Sequence, residues 1–226
     1  MIVVVGLPSW RAVEPAGPAG RACEIALAAA ARGARVELVG RTGDDAAGDA
    51  LLVALSQAGV GHVSMLRDPV RSTPVFVPPA TDEDAAEALV GGGPDARPGD
   101  AAPGEGSTGE GAAPRLEPAD VSLGLDYLTS FSVAVVTDDV PPVVVPVVAE
   151  AAAFAGAHLV VVVAPGGGTD AALLPDATVL EAPSEADEGA FAAVVGAYAA
   201  AVDGGESPAA AFADATGDTG WEPFED

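Results

Sequence analysis

Short apolar runs along the chain alternate with longer stretches rich in alanine and small residues. The run at 2–6 (IVVVG) reads as a buried strand ending in glycine. A small-residue helix is predicted over 22–32, stopped by Gly33, followed by a strand at 35–39 (RVELV). Asp44 or Asp45 can cap a helix over 46–58, in which Leu51, Leu52 and Leu55 share a face. Gly59 ends it, a strand is predicted at 60–66, and Thr73 to Val77 reads as a strand with Pro74 at its edge. From 91 to 114 the chain turns to Gly, Pro, Ala, Ser and acidic residues, which build no packed element, so this is expected to be a flexible loop. Order is predicted to resume with strand 131–137, a helix over 141–156 and strand 159–164. A strand at 177–180 and helices over 188–202 and 207–215 follow, and 217–226 is an acidic tail. Strands alternating with helices imply an α/β fold. One mostly parallel sheet is covered on both faces, within a single domain spanning 1–226.

Half the residues are hydrophobic but only 4% are aromatic, so Val, Leu and Ala must fill the core. All nine basic residues are arginine, and lysine and asparagine are absent. No lysine can therefore cradle a phosphate, and no asparagine amide can hold a hydroxyl. A net charge of −25 repels nucleic acid and anionic membranes. The same field opposes a free nucleotide. Cys23 is the only cysteine, which excludes an internal disulfide and points to a reducing, cytoplasmic setting. Val143 to Ala164 has the length of a membrane span, but Pro146, Gly156 and the alanines favour a core helix followed by a strand.

Several residues carry candidate chemistry and also have a plainer reading. Asp138 and Asp139 end a strand, where ligands gather in such sheets, yet capping of the proline-started helix after them is expected. Gly166-Gly167-Gly168 lacks the ending of a phosphate loop and reads as a turn. His62 and His158 are isolated, and Cys23 lies among packing residues. Trp221 and Phe224 could dock on the body of the protein or on a partner.

Ala19, Gly20, Ala22 and Ala26, with Gly33 and Gly43 at the later spacings, resemble the first signature of the ribokinase-like (PfkB) carbohydrate kinases. The run VGRTGDDAAGDALLVALSQAGV (39–60) is similar to the segment that follows it. Leu159 to Pro165 and Ala182-Pro183-Ser184-Glu185-Ala186-Asp187 resemble that family's later strand and its Pro-Asn-x-x-Glu motif. The resemblance implies a three-layer ribokinase-like fold and Mg²⁺ and ATP as cofactors if any kinase activity is retained. Glu185 and Asp187 would be the metal-side residues. Arg11, Gly20, Glu24 and Thr73 would be the substrate-facing ones. Arg11 and Glu24 stand where the family has a sugar-gripping aspartate and asparagine, so opposite charges occupy the sugar pocket and could pair. Too few residues separate the first strand from the glycine turn for full lid strands, which are expected to be reduced or absent.

The second signature, Asp-Thr-x-Gly-Ala-Gly-Asp, supplies an anion hole and a catalytic base. Ala186 to Phe191 imitates it with Gly189 at the base position, and Asp214 to Asp218 has similar letters too near the end. A segment carrying nucleotide-binding strands is inferred to be lost. Three readings follow. One is a pseudokinase that binds a sugar, nucleoside or anionic small molecule. Another is a working ATP-dependent sugar or nucleoside kinase using Asp187, Glu188 or Asp218 as base. The third is a structural remnant, for which homodimer formation would add stability.

Overall fold

The computed structural model describes residues 1–76, 112–128, 130–167, 176–183 and 188–219. Expectations for the 91–114 loop up to residue 111, for Ser184 to Asp187 and for the tail from 220 lie outside the described residues.

The strands of the main sheet are β1 (Ile2–Val5), β4 (Val36–Gly43), β5 (Val60–Gly61), β6 (Met65–Asp68), β8 (Val133–Val136), β9 (His158–Val163) and β10 (Thr178–Glu181). Their order is β10-β9-β8-β1-β4-β5, with β6 also on β4, and every pairing is parallel. The helices are α1 (Arg21–Ala31), α2 (Ala46–Gln57), α3 (Pro118–Asp126), α4 (Val145–Ala155), α5 (Glu188–Asp203) and α6 (Pro208–Thr219).

Alternation along each strand divides the core into two layers. Ile2, Val4, Val36, Leu38, Val133, Val135, Val160 and Val162 pack with α1, α2, α5 and α6. Val3, Val5, Val39, Ala134, Val136 and Val161 pack with α3 and α4 on the other face. The near-continuous valine runs follow from burial on both faces. This is the doubly covered parallel sheet that the pattern predicts.

A second, three-stranded sheet joins β2 (Ser9–Arg11), β3 (Gly17–Ala19) and β7 (Val75–Phe76) in the order β3-β2-β7. The lid strands implied by the resemblance are therefore reduced rather than absent.

Three elements differ from expectation. Strand 60–66 is broken by a turn at 62–64, and its two pieces pair with different stretches of β4. Strand 35–39 runs on to Gly43, because Gly40 marks close packing rather than a turn: a Cβ there would lie 2.5 Å from the Gly6 carbonyl oxygen. Helix α3 was not expected. Pro118 opens it and a reciprocal Glu117–Asp120 capping box holds its first turn.

Candidate functional site

Strand order reverses between β1 and β8, because the chain moves outward from β1 to β4 and only later fills the opposite flank. In such sheets the carboxyl ends at that reversal form the natural ligand crevice. Here they carry Gly6 after β1 and Thr137-Asp138-Asp139 after β8. A Cβ on Gly6 would lie 2.3 Å from Thr137 Oγ1 and 2.5 Å from Ala22 Cβ, so α1 can sit directly on the strand end only above a glycine.

Gly20 precedes α1 with a φ of +86°, a left-handed conformation that favours glycine, and offers no side-chain cap. Arg21, the first residue of α1, forms an ion pair with Asp138 across the crevice. Both side chains are largely buried. The guanidinium carbon also lies 6.0 Å from the centre of the Phe191 ring on α5. Asp139 Oδ1 accepts from the Leu7 amide at 3.2 Å and lies 2.6 Å from Thr137 Oγ1. The residue is exposed, with its carboxyl held against Thr137 and the Leu7 amide. Loss of solvation on the side of the carboxyl that packs on the protein raises its pKa above the ordinary carboxylate value; the Thr137 and Leu7 hydrogen bonds offset part of the rise and the Asp138 charge adds to it. Cys23, just beneath, is pushed up to about 12, chiefly by burial. It is a packing residue at neutral pH rather than a thiolate nucleophile.

Arg11 Nη2 on β2 lies 3.8 Å from Glu24 Oε1 on α1, which brings these two predicted residues together. Gly20 opens the same helix. Thr73 is 3% exposed, and its hydroxyl is taken up by local structure. It donates to Asp45 Oδ1 at 2.7 Å, accepts from the Gly43 amide at 3.0 Å and meets Thr42 Oγ1 at 2.8 Å. Asp45 caps α2 through the Gly48 amide at 2.8 Å, as the sequence allows, and also accepts from the Thr73 amide. Burial works against ionisation of Asp45, but these donors and Arg67 outweigh it and hold the carboxyl below its ordinary value.

Glu185 and Asp187 lie outside the described residues. Glu188 and Asp218 fall within α5 and α6, but their side chains lie outside the described part. Gly189 stands exposed in the first turn of α5, and among the described residues nothing beyond its own helix and chain neighbours lies within 4 Å of where a Cβ would stand. The expected capping role of Asp138 and Asp139 is not realised. The turn Pro142–Val144 and α4 start on Pro141 and Val144 without a side-chain cap, and both aspartates face the crevice groups instead. Sequence reasoning therefore missed the pairing of Arg21 with Asp138 and expected a cap that these aspartates do not form. The available signal was an arginine directly after a helix-opening glycine, together with acids ending a central strand.

The predicted metal-side residues Glu185 and Asp187 cannot be placed against the strand ends, since both are outside the described residues. The chain contains no lysine, and among the described residues no three Asp, Glu, His or Cys side chains gather to hold a metal. On the side of β8, the sheet of described strands ends at β10.

No family model matches the chain, and no curated protein matches it. Solved structures do. Arabidopsis thaliana ribokinase complexed with ribose and ATP is 14% identical with a TM-score of 0.61, the match covering 96% of this chain and 90% of that one. Aminoimidazole riboside kinase from Salmonella enterica, complexed with aminoimidazole riboside and an ATP analogue, is 13% identical with a TM-score of 0.61 over 96% and 90%. A carbohydrate kinase from Agrobacterium tumefaciens is 13% identical with a TM-score of 0.62 over 96% and 89%. The fold is the ribokinase-like one.

Proposed function

We propose that this chain is a small-molecule-binding protein on a sugar-kinase scaffold, without efficient phosphotransfer. The ligand is a sugar, a nucleoside or an anionic small molecule, held at the ends of β1 and β8. One observation carries the reading. Gly6 and Gly20 let α1 sit directly on the strand ends, while the charged groups beside them are engaged with one another as Arg21–Asp138 and Arg11–Glu24. The first turn of α5, where the resemblance puts the base, offers Gly189. Loss of a general base alone lowers a rate by about 10²–10⁴, and phosphoryl transfer depends further on electrostatic stabilisation of its transition state.

Asp139 is the group best placed to hold a ligand hydroxyl, because it lies at the strand reversal with one oxygen drawn inward and surface still accessible. Ligand entry would exchange the Arg11–Glu24 contact for contacts to the ligand. At 3.8 Å and partly solvated, that pair contributes little to stability, on the order of 1 kcal/mol or less, so the exchange is inexpensive.

The test is a panel of pentoses, hexoses, nucleosides and sugar phosphates, read by thermal shift and, with Mg–ATP present, by ADP release. The expected result is a shift with some member of the panel, lost in Asp139→Asn, and ADP release at background. Sugar-dependent ADP release abolished by alanine at Asp187, Glu188 or Asp218 would establish a working kinase instead. No shift with any compound would leave only a structural role.

A further inference from the structure

On the sheet face away from α1, helix α4 carries more apolar surface than the core uses. Its residues Val145–Ala155 include Glu150 as their one charged side chain. Val144, Val148 and Ala152 are buried in the layer with Val136 and Val161. Val147, Ala151 and Phe154 repeat at i, i+4 and i+7 and so form a second stripe, rotated away from the first. Val147 and Ala151 are partly buried, but Phe154 is 96% exposed. A stripe that meets only water carries polar residues in most surface helices, and this one does not.

The stripe is one wall of a trough of about 650 Å³ between α4 and α3, which pack side by side. Leu125, Leu128 and Phe131 line it as well, and all three are buried. Each wall adds one exposed carboxylate, Asp126 on α3 and Glu150 on α4. Among the described residues no arginine lines the trough, and neither carboxylate forms an ion pair. An apolar trough whose only charges are negative is complementary to an apolar surface with positive margins.

We propose that the α3–α4 trough docks a cationic amphipathic helix of another protein. The helix lays its apolar stripe between α3 and α4, covers Phe154, and sets Arg or Lys residues against Asp126 and Glu150. Recognition of this kind uses apolar anchors at i, i+3, i+4 and i+7. The rise from Val147 to Phe154 is about 10 Å, or two turns, which matches that spacing. Charge decides against the occupants that the chain could supply itself. Residues 77–111 are rich in Asp and Glu, with Arg97 as their only cation. Residues 220–226 combine Trp221 and Phe224 with Glu222, Glu225 and Asp226 and no cation. A second copy would bring a net charge of −25 against an equal one. A small apolar cation inside the trough would leave Phe154 in water, whereas a helix lying over it does not. The site is independent of the ligand reading given for the crevice.

The probe is a synthetic peptide of about 15 residues, with leucines at i, i+3, i+4 and i+7 and lysines on the other face. A scrambled peptide of the same composition, with no apolar face, separates docking from general attraction to an acidic protein. Both are titrated into the ¹⁵N-labelled full chain at roughly 0.15 M salt and followed by amide shifts and fluorescence anisotropy. The expected result is saturable binding of the patterned peptide, at least about tenfold tighter than the scrambled one. Shifts should centre on Leu125, Asp126, Val147, Ala151 and Phe154. Phe154→Ala should weaken binding at least about tenfold, as truncation of a central aromatic anchor does. Asp126→Asn combined with Glu150→Gln should weaken it about threefold or more, chiefly at low salt. All three side chains are exposed, so these variants keep the fold, which circular dichroism checks. Equal affinity for the two peptides, no effect of Phe154→Ala, or shifts spread over the acidic surface would each overturn the proposal. Contacts from the Phe154 ring to residues 77–111 or 220–226 in the free chain would overturn it in favour of the chain's own segments. Self-association in sedimentation that Phe154→Ala abolishes would overturn it in favour of a second copy.

Discussion

Gly196 in α5 gives the sharpest energetic test of how the crevice is supported, because α5 packs on α1, the helix that carries Arg21 and Glu24. A Cβ at 196 would lie 2.6 Å from Ala28 Cβ, 2.8 Å from the Ala29 nitrogen and 3.0 Å from the Ile25 carbonyl oxygen. Two of these atoms are backbone and cannot rotate away. Carbon contacts settle near 3.5–4.0 Å, so Gly196→Ala must part the helices by about 1 Å. Overpacking of this kind costs about 1–3 kcal/mol, while replacing a helical glycine by alanine returns about 1 kcal/mol. With backbone on the receiving side, the net is a destabilisation of about 1–2 kcal/mol, or roughly 2–8 °C in Tm for a chain of this size. Gly189, in the same helix, provides the control, since among the described residues nothing beyond its own helix and chain neighbours lies within 4 Å of its built Cβ. Gly189→Ala should be neutral or stabilising by up to about 1 kcal/mol. Urea unfolding of the three proteins, compared at equal m-value, measures both. A Gly196→Ala protein as stable as the parent would refute the close α1–α5 contact and the positioning of α1 argued from it.

Other outcomes follow from the same geometry. Arg21→Gln or Asp138→Asn alone should destabilise by about 1–3 kcal/mol, because each removes one member of a largely buried ion pair; the double variant should cost less than the sum of the two single variants in denaturant unfolding. Burial lowers the pKa of His158, so the folded chain binds its proton less readily than the unfolded chain. Its contribution is present above the unfolded value of about 6.5 and declines as pH falls from there through the folded value. His158→Gln should flatten the stability profile in that acidic window. Asp45→Ala should cost about 1–2 kcal/mol at pH 7 through the lost cap and Thr73 contacts. That deficit should shrink as pH falls below the ordinary carboxylate range, where the depressed folded pKa of Asp45 no longer contributes.

Much of the fold was legible because both-face burial writes itself into the sequence as unbroken valine runs. The runs at 2–5, 133–136 and 159–163 needed no tertiary information. The cap at Asp45 and the stop at Gly59 were equally local. Gly40 misled because a glycine chosen for close approach to Gly6 looks the same in sequence as one chosen for a turn. α3 escaped because Gly124 interrupts its apolar face; the glycine is needed there, since a Cβ would lie 2.8 Å from Val39 Cγ1. At the crevice, the placing of Arg11 beside Glu24 was foreseeable only through the resemblance, as 13 positions separate them. The Arg21–Asp138 pair spans 117 positions, and nothing local announces it.

Binding at the ends of β1 and β8 without phosphate transfer is the central claim, and one sample tests both halves. The ¹⁵N-labelled chain is mixed with Mg–ATP and titrated with the sugar, nucleoside and sugar-phosphate panel, with amide shifts and the ³¹P spectrum recorded together. The account predicts that some member moves the amides of Gly6, Leu7, Gly20, Arg21, Asp138 and Asp139 while the γ-phosphate signal persists as it does without protein. Loss of the γ-phosphate signal with growth of a sugar-phosphate resonance, or no movement of those amides with any compound, would contradict it.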